Sequence, residues 1–329
     1  LVHLINSSFI SGIFPDKLKI SKIRPLLKKG EDTNMSNYRP LSLLPVFSKI
    51  YEKAMCNRLV SYLESNKLID KEQHGFRRGR SVITAAVDFV ESVINSIEAG
   101  EKVVGMFMDL NKAFDSVSHP LLIKKLDELK IKEPTLSWMK SYLNNRQQYV
   151  ELKNVNKNQI YSNKSQLKVI KHGVPQGSIL GPLLILCYIK GLPQIISGNE
   201  QNKICLYADD ANLKISGNSV DEVNLSMSKN LNDLNHYFCG HQLLLNIKKT
   251  NFMQINTVHS KKFSSLSVRL ENYKIEEVTK TKFLGLIIDS NLCWALLIGD
   301  VDLVKSKVTS GLYALYKMSK ICSFETLKK

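Results

Sequence analysis

The chain has 329 residues, with 46 Lys and Arg against 30 Asp and Glu and a formal charge of +16. At 43% hydrophobic and 23% charged it is not a disordered polyelectrolyte, and its length suits about two domains. The longest apolar run, near residues 181–189, falls well short of the roughly 20 residues that span a bilayer, so the excess charge points to nucleic acid or another polyanion rather than to a membrane.

Taken in chain order, residues 15–50 are basic and proline-marked, with Lys17, Lys19, Lys22, Arg24, Lys28 and Lys29 in one stretch and Pro25, Pro40 and Pro45 as punctuation. Extended or looped backbone is expected there. Phe47, Ile50, Tyr51, Ala54, Met55, Leu59, Tyr62 and Leu63 then recur at helical spacing and mark one apolar face. A second helix is expected over 82–97, stopped by Gly100. Residues 103–108 form an apolar run ending in Asp109, the pattern of a strand buried on both faces. Ser118 is placed to cap a helix with Pro120 in its first turn, and another helix is expected near 134–142. Segments 148–152 and 167–170 read as strands, and 173–177 breaks the chain before a helix over 178–189. Apolar runs at 204–207 and 211–215 flank Asp209 and Asp210 as a hairpin with the acids at its turn. Ser219 opens a further helix, and a strand is expected at 252–255. From residue 103 onward, leaving aside inserted helices, the order is strand, helix, strand, strand, helix, strand. That is the ferredoxin-like, split β-α-β order of an α+β fold.

The cysteines at 56, 187, 205, 239, 293 and 322 form no C-x-x-C pair, so free thiols in a reducing, intracellular setting are expected. The chain opens on Leu1 without the regions of a secretory leader, and reads as a fragment of a longer polypeptide. His236, Cys239 and His241 cluster without a fourth ligand, so packing rather than a metal site is expected of them.

Asp109, Asp209 and Asp210 carry the chemistry. An aspartate at a turn is ordinarily a turn former, but two adjacent like charges beside apolar neighbours repel unless a cation neutralises them. In a ferredoxin-like core the strand ending at Asp109 and the hairpin bearing Asp209 can lie side by side. Hard oxygen ligands without His or Cys suit Mg²⁺ or Mn²⁺, and such acids can hold two ions for in-line phosphoryl transfer. Metal-binding acids within a cationic chain point to an enzyme acting on polyphosphate or nucleic acid.

These residues sit in motifs that resemble a known family. Tyr207-Ala208-Asp209-Asp210 resembles the aspartate-pair hairpin of reverse transcriptases, and FMDLNKAFDSV from Phe107 resembles their first catalytic motif. HGVPQGSILGPLL from His172, NYRPLSLLPVFSKI from Asn37, QHGFRRGRS from Gln73, LLLNIKKT from Leu243 and KFLGLIID from Lys282 complete an ordered set. The set is most similar to non-LTR retrotransposon polymerases, especially jockey-like elements.

That resemblance implies a right-hand polymerase, with fingers over 1–100, a palm over 101–290 and a truncated helical thumb over 291–329. It implies an RNA template, a DNA primer, deoxynucleoside triphosphates and two Mg²⁺ or Mn²⁺ ions, in a nuclear or cytoplasmic setting. Asp109, Asp209 and Asp210 would be catalytic and metal-binding. Lys28, Arg39, Phe114, Gln176, Gly177 and Lys249 would bind the nucleotide, Phe114 by standing against its sugar and Lys249 by protonating pyrophosphate. Gly173 and Pro175 would line the same site. Arg77, Arg78 and Arg80 would contact the template backbone. Four positions depart from the family pattern: Lys190-Gly191 precedes Leu192-Pro193 where Asn-Asp is usual, Ala211 replaces Thr, and Leu297 replaces His. The rival expectation is an inactive remnant that only binds nucleic acid. A maturase of group II introns would share the polymerase but add a splicing domain.

Overall fold

The computed structural model describes residues 1–28, 30–156, 159–196, 201–256, 263 and 266–292. The expected thumb lies almost wholly outside the described residues, as do Lys29, Cys293, Leu297 and Cys322. Helix α1 (Val2–Ser11) precedes the hairpin β1 (Ile20–Leu27) and β2 (Tyr38–Leu43), after which come the long helices α2 (Val46–Ser65) and α3 (Val82–Glu98). Strand β3 (Lys102–Met108) is followed by α4 (Ala113–Ser116), α5 (His119–Glu128) and α6 (Thr135–Leu143), then by β4 (Gln147–Asn156), β5 (Gln159–Lys164) and β6 (Lys168–Val169). Helices α7 (Leu180–Tyr188) and α8 (Leu192–Ile196) lead to the hairpin β7 (Lys203–Tyr207) and β8 (Asp210–Gly217), helix α9 (Val220–Gly240) and strand β9 (Asn251–Ile255). Five short strands close the described chain: β10 (Arg269–Leu270), β11 (Tyr273–Lys274), β12 (Glu276–Glu277), β13 (Lys280–Phe283) and β14 (Leu286–Asp289).

The sheet that positions the acids runs β12-β9-β3-β8-β7. Without the edge strand β12, this is the ferredoxin-like arrangement expected from the element order. Strand β3 sits between β8 and β9 and is antiparallel to both. Its side chains alternate between two cores, which explains the unbroken apolar run. Val104, Met106 and Met108 join Val223, Met227, Leu231 and Leu234 of α9, whereas Val103 and Phe107 join Phe89 and Val93 of α3. Each such side chain contributes about 1.5–3 kcal/mol by leaving water. Helix α3 starts on a capping box in which Ser81 and Thr84 exchange hydrogen bonds, and Ser219 caps α9 by accepting from the Glu222 amide. Ser118 occupies the cap position of α5, but its hydroxyl makes no capping bond; instead its amide donates to the Tyr188 hydroxyl at 3.2 Å.

A second sheet runs β2-β1-β4-β5, with β1 and β4 parallel, and ties residues 20–23 to 147–150. A boundary at residue 100 therefore does not divide two packing units. Strand β4 belongs with the N-terminal hairpin, and α3 belongs with the β3 sheet. Among the described residues no helix is long and apolar enough to cross a membrane.

Candidate active site

Antiparallel pairing fixes where the acids meet. Met108 at the end of β3 lies opposite Ala211 of β8, and Tyr207 pairs with Asp210 across the β7–β8 hairpin. Asp109 thus emerges beside Asp210, and Asp209 stands in the two-residue turn. The three charges sense one another. Burial, followed by the repulsion of Asp109, holds the Asp209 carboxyl above its ordinary value, while its own backbone, Arg39 and Lys28 pull it down. Asp210 is exposed as a residue, yet loss of water around its carboxyl and repulsion from Asp209 and Asp109 push it up to about 6, against the pull of Lys249. Its exposure means that solvent screens part of this repulsion.

The segment after α9 supplies counter-groups. Lys249 Nζ lies 2.8 Å from Asp109 Oδ2, and Asn246 Nδ2 donates to the same oxygen at 3.2 Å. The Asn246 amide also donates to the Asp109 carbonyl at 2.8 Å. Lys249 is 64% exposed, so the pair is a screened surface contact that a stronger cation can displace.

A second wall comes from α4 and the loop before α7. Phe114 is half-buried against the main core, and its carbonyl accepts from the Val174 amide at 2.7 Å. Gln176 Nε2 donates to Asp115 Oδ1 at 2.8 Å, and the Gln176 carbonyl accepts from the Ser42 amide at 2.7 Å, which ties this loop to β2. Gly177 has a φ of +116°, and a Cβ there would stand 2.8 Å from the Ser42 carbonyl oxygen, so the close approach of loop and strand requires glycine. Lys28 lies at the end of the β1–β2 hairpin, and its charge reaches both Asp115 and Asp209. The charges of Lys28 and Arg39 thus both act on Asp209, and that of Lys28 also acts on Asp115, the partner of Gln176.

The three arginines expected on the template do not share a fate. Arg77 is committed inside the protein: Nε and Nη2 donate to the two carboxylate oxygens of Glu64 at 2.9 and 2.7 Å, and Nη1 donates to the Asp70 carbonyl at 2.9 Å. With its fork filled and its side chain 13% exposed, Arg77 is spent on contacts within the protein rather than left open to a phosphate. Arg78 is exposed, and Arg80 is exposed with its Nη1 3.5 and 3.4 Å from the two His74 ring nitrogens. In the cluster of His236, Cys239 and His241, His241 Nδ1 bonds the Tyr237 carbonyl at 2.8 Å and its ring stacks on Tyr237.

Glu52 was not singled out by sequence reasoning. It is fully buried, accepts from the Ser48 hydroxyl at 3.0 Å, and accepts from the Ile179 amide at 2.6 Å at the start of α7. A carboxylate at a helix N-terminus is favoured by the dipole and caps an orphan donor. The signal was an acid on the apolar side of an amphipathic helix. Gln73, which backs the Ala208 turn, was also missed.

Comparison with known proteins decides the family. Residues 26–288 match the family model described as reverse transcriptase (RNA-dependent DNA polymerase). The chain belongs to this family. As a reverse transcriptase domain, it is 29% identical over 300 residues to the probable RNA-directed DNA polymerase from transposon BS of Drosophila melanogaster, covering 89% of this chain and 32% of that protein. It is 30% identical over 301 residues to the RNA-directed DNA polymerase from mobile element jockey of the same organism, covering 90% of this chain and 31% of that protein. The chain thus spans about a third of the length of these curated relatives. Among solved structures, it superposes on apo telomerase from Candida tropicalis truncated from its C-terminal domain, with a TM-score of 0.55 and 12% identity over 88% of this chain and 58% of that one. This likeness establishes a shared fold. The expected relation to non-LTR, jockey-like polymerases and the expected α+β fold both stand.

Proposed function

We propose that this reverse transcriptase domain adds deoxynucleotides to a primer 3′ end on an RNA template, with Asp109, Asp209 and Asp210 holding two Mg²⁺ or Mn²⁺ ions. The observation that carries the reading is the β3–β8 register, which brings Asp109 against the acid pair. Among the described residues no group of three or more acid, histidine or cysteine side chains is drawn together around an ion position, and Lys249 neutralises Asp109. The donor set nevertheless fits a hard divalent cation: three carboxylates, two of them held above their ordinary values by burial and mutual repulsion, which a dication relieves. Bound there, the ions would acidify the primer hydroxyl and stabilise charge on the triphosphate.

The protein's own residues do the positioning. Lys28 offers a point charge and Arg39 a planar fork to triphosphate oxygens. Phe114 stands against the sugar, Gln176 and Gly177 form the floor, and Lys249 is within reach of departing pyrophosphate once it leaves Asp109. Arg78 and Arg80 supply sequence-independent attraction for the template backbone. In this reading the fingers comprise residues 1–100 together with β4–β6, less α3, which covers the palm. The palm runs on to residue 290, and the thumb begins at 291.

Primer extension on an RNA template tests the proposal. The purified chain with Mg²⁺ or Mn²⁺ should extend the primer, and Asp209→Asn should cut the rate by at least about a thousandfold while template affinity stays within about twofold. A chain that binds template but extends nothing under conditions where an intact relative works is the inactive remnant, and the polymerase reading fails.

A further inference from the structure

The acid pair hangs on a turn whose first residue, Ala208, has a left-handed φ of +56°. That region costs a residue bearing a Cβ about 1 kcal/mol or more, so a neighbouring structure must hold it. One side chain does so. Gln73 Oε1 accepts from the Ala208 amide at 2.9 Å, and Gln73 Nε2 donates to the Ala208 carbonyl at 3.2 Å. Both backbone polar groups of the strained residue are thus tied to a single planar amide. Oε1 also accepts from the Gly75 amide at 2.7 Å, and two N–H donors converging on one atom identify it as the oxygen. Gln73 is 2% exposed, so water does not compete for these bonds.

The surrounding segment is built for the same contact. The His74 amide donates to the Leu206 carbonyl at 2.8 Å, and the Leu206 amide donates to the Glu72 carbonyl at 3.0 Å, locking residues 72–74 along β7. At Gly75 a Cβ would stand 2.3 Å from the Ala208 nitrogen, a backbone clash that no rotamer relieves. The Arg77–Glu64 pair pins the far end of the segment. Two segments distant in sequence therefore meet along the end of β7 and at the turn that follows it.

We propose that Gln73 is a positioning residue whose carboxamide sets the Ala208 peptide groups and so aims the Asp209 carboxylate toward Asp109, with Gly75 providing the space. The proposal rests on the reading of Asp209 as an ion ligand. Outer groups that orient a ligand ordinarily alter metal affinity 10- to 100-fold when removed.

The test uses the full chain with Gln73→Met, which keeps the length and the apolar stem, and Gly75→Ala, which leaves the amide intact and crowds the turn. Gln73→Glu keeps the acceptor and loses the donor. Three quantities are measured: hydrogen exchange of the peptide spanning residues 206–210, Mn²⁺ binding by electron paramagnetic resonance, and RNA affinity with the melting temperature. In Gln73→Met and Gly75→Ala, turn exchange should accelerate about tenfold and the Mn²⁺ dissociation constant should rise about tenfold, with Gln73→Glu intermediate in exchange. RNA affinity should stay within about twofold, and excess Mn²⁺ should restore extension, which a loss of folded protein could not produce. Turn exchange and Mn²⁺ binding equal to those of the parent chain overturn the proposal, as does faster exchange throughout the chain in step with a lowered melting temperature. A parent chain that binds no Mn²⁺ refutes the ion-ligand reading instead, and turn exchange alone then upholds or overturns the clamp.

Discussion

Arginine 77 shows how one residue's partner decides its role. A guanidinium in a basic loop is ordinarily available to phosphate, but here Glu64 fills the fork with two parallel bonds. The same contact holds the Glu64 carboxyl below its ordinary value of 4.5, chiefly through the Arg77 hydrogen bond, against a smaller opposing effect of burial. The sign follows: a carboxyl whose folded value is depressed adds stability above its unfolded value and loses it as the pH falls through the folded value. Melting temperatures of the parent chain and Glu64→Gln should therefore differ at neutral pH, with the variant lower, and converge in acid below the ordinary glutamate range. Because Glu64 is 30% exposed at its side chain, the difference will be modest. A gap that persists unchanged at low pH would show that the lost bond geometry, rather than the charge, is what matters.

Whole elements were legible where a local pattern announced them. The apolar run of β3, the twin runs of β7 and β8 and the serine cap of α9 all lie within a few residues of the features they specify. The parallel pairing of β1 with β4 has no such signature, since nothing within residues 20–27 names a partner more than a hundred positions away. Nor do the two-residue strands β10, β11 and β12 carry enough alternation to be read. Among site residues the acids were legible by type and motif. Gln73 and Glu52 were not, because a polar side chain declares its role only through contacts at separations of 135 and 127 residues. Glu52 has consequences for α7, whose first turn carries the loop with Gln176 and Gly177. Glu52→Ala would leave the Ile179 amide and Ser48 hydroxyl without their acceptor inside a dry core, a loss of about 1–3 kcal/mol. Urea denaturation should show a lower midpoint with an unchanged slope, and the Michaelis constant for the nucleotide should rise if α7 sets the floor of the site. An unaltered midpoint would mean that water replaces the carboxylate.

At the scale of the molecule, the charge of +16 is a statement about attraction whose strength must fall with salt. The acids are a local exception within that field, faced by Lys28 and Arg39 and opposed by Lys249. For single-stranded RNA the logarithm of affinity falls with the logarithm of salt concentration by roughly 0.7 for each phosphate neutralised, so the slope counts contacts. Arg78 is exposed and makes no ion pair among the described residues, whereas the charge of Arg77 is already spent on Glu64. Removing each should separate the two roles. Arg78→Ala should lower RNA affinity and reduce the slope by about 0.7, with no change in melting temperature. Arg77→Ala should lower the melting temperature, because it strands Glu64 and frees the 72–77 segment, and should leave the slope as it was. Fluorescence titrations over a range of KCl concentrations resolve both effects. If Arg77→Ala reduced the slope as much as Arg78→Ala, the Glu64 pair would have to open when RNA binds, and the anchor would be a switch.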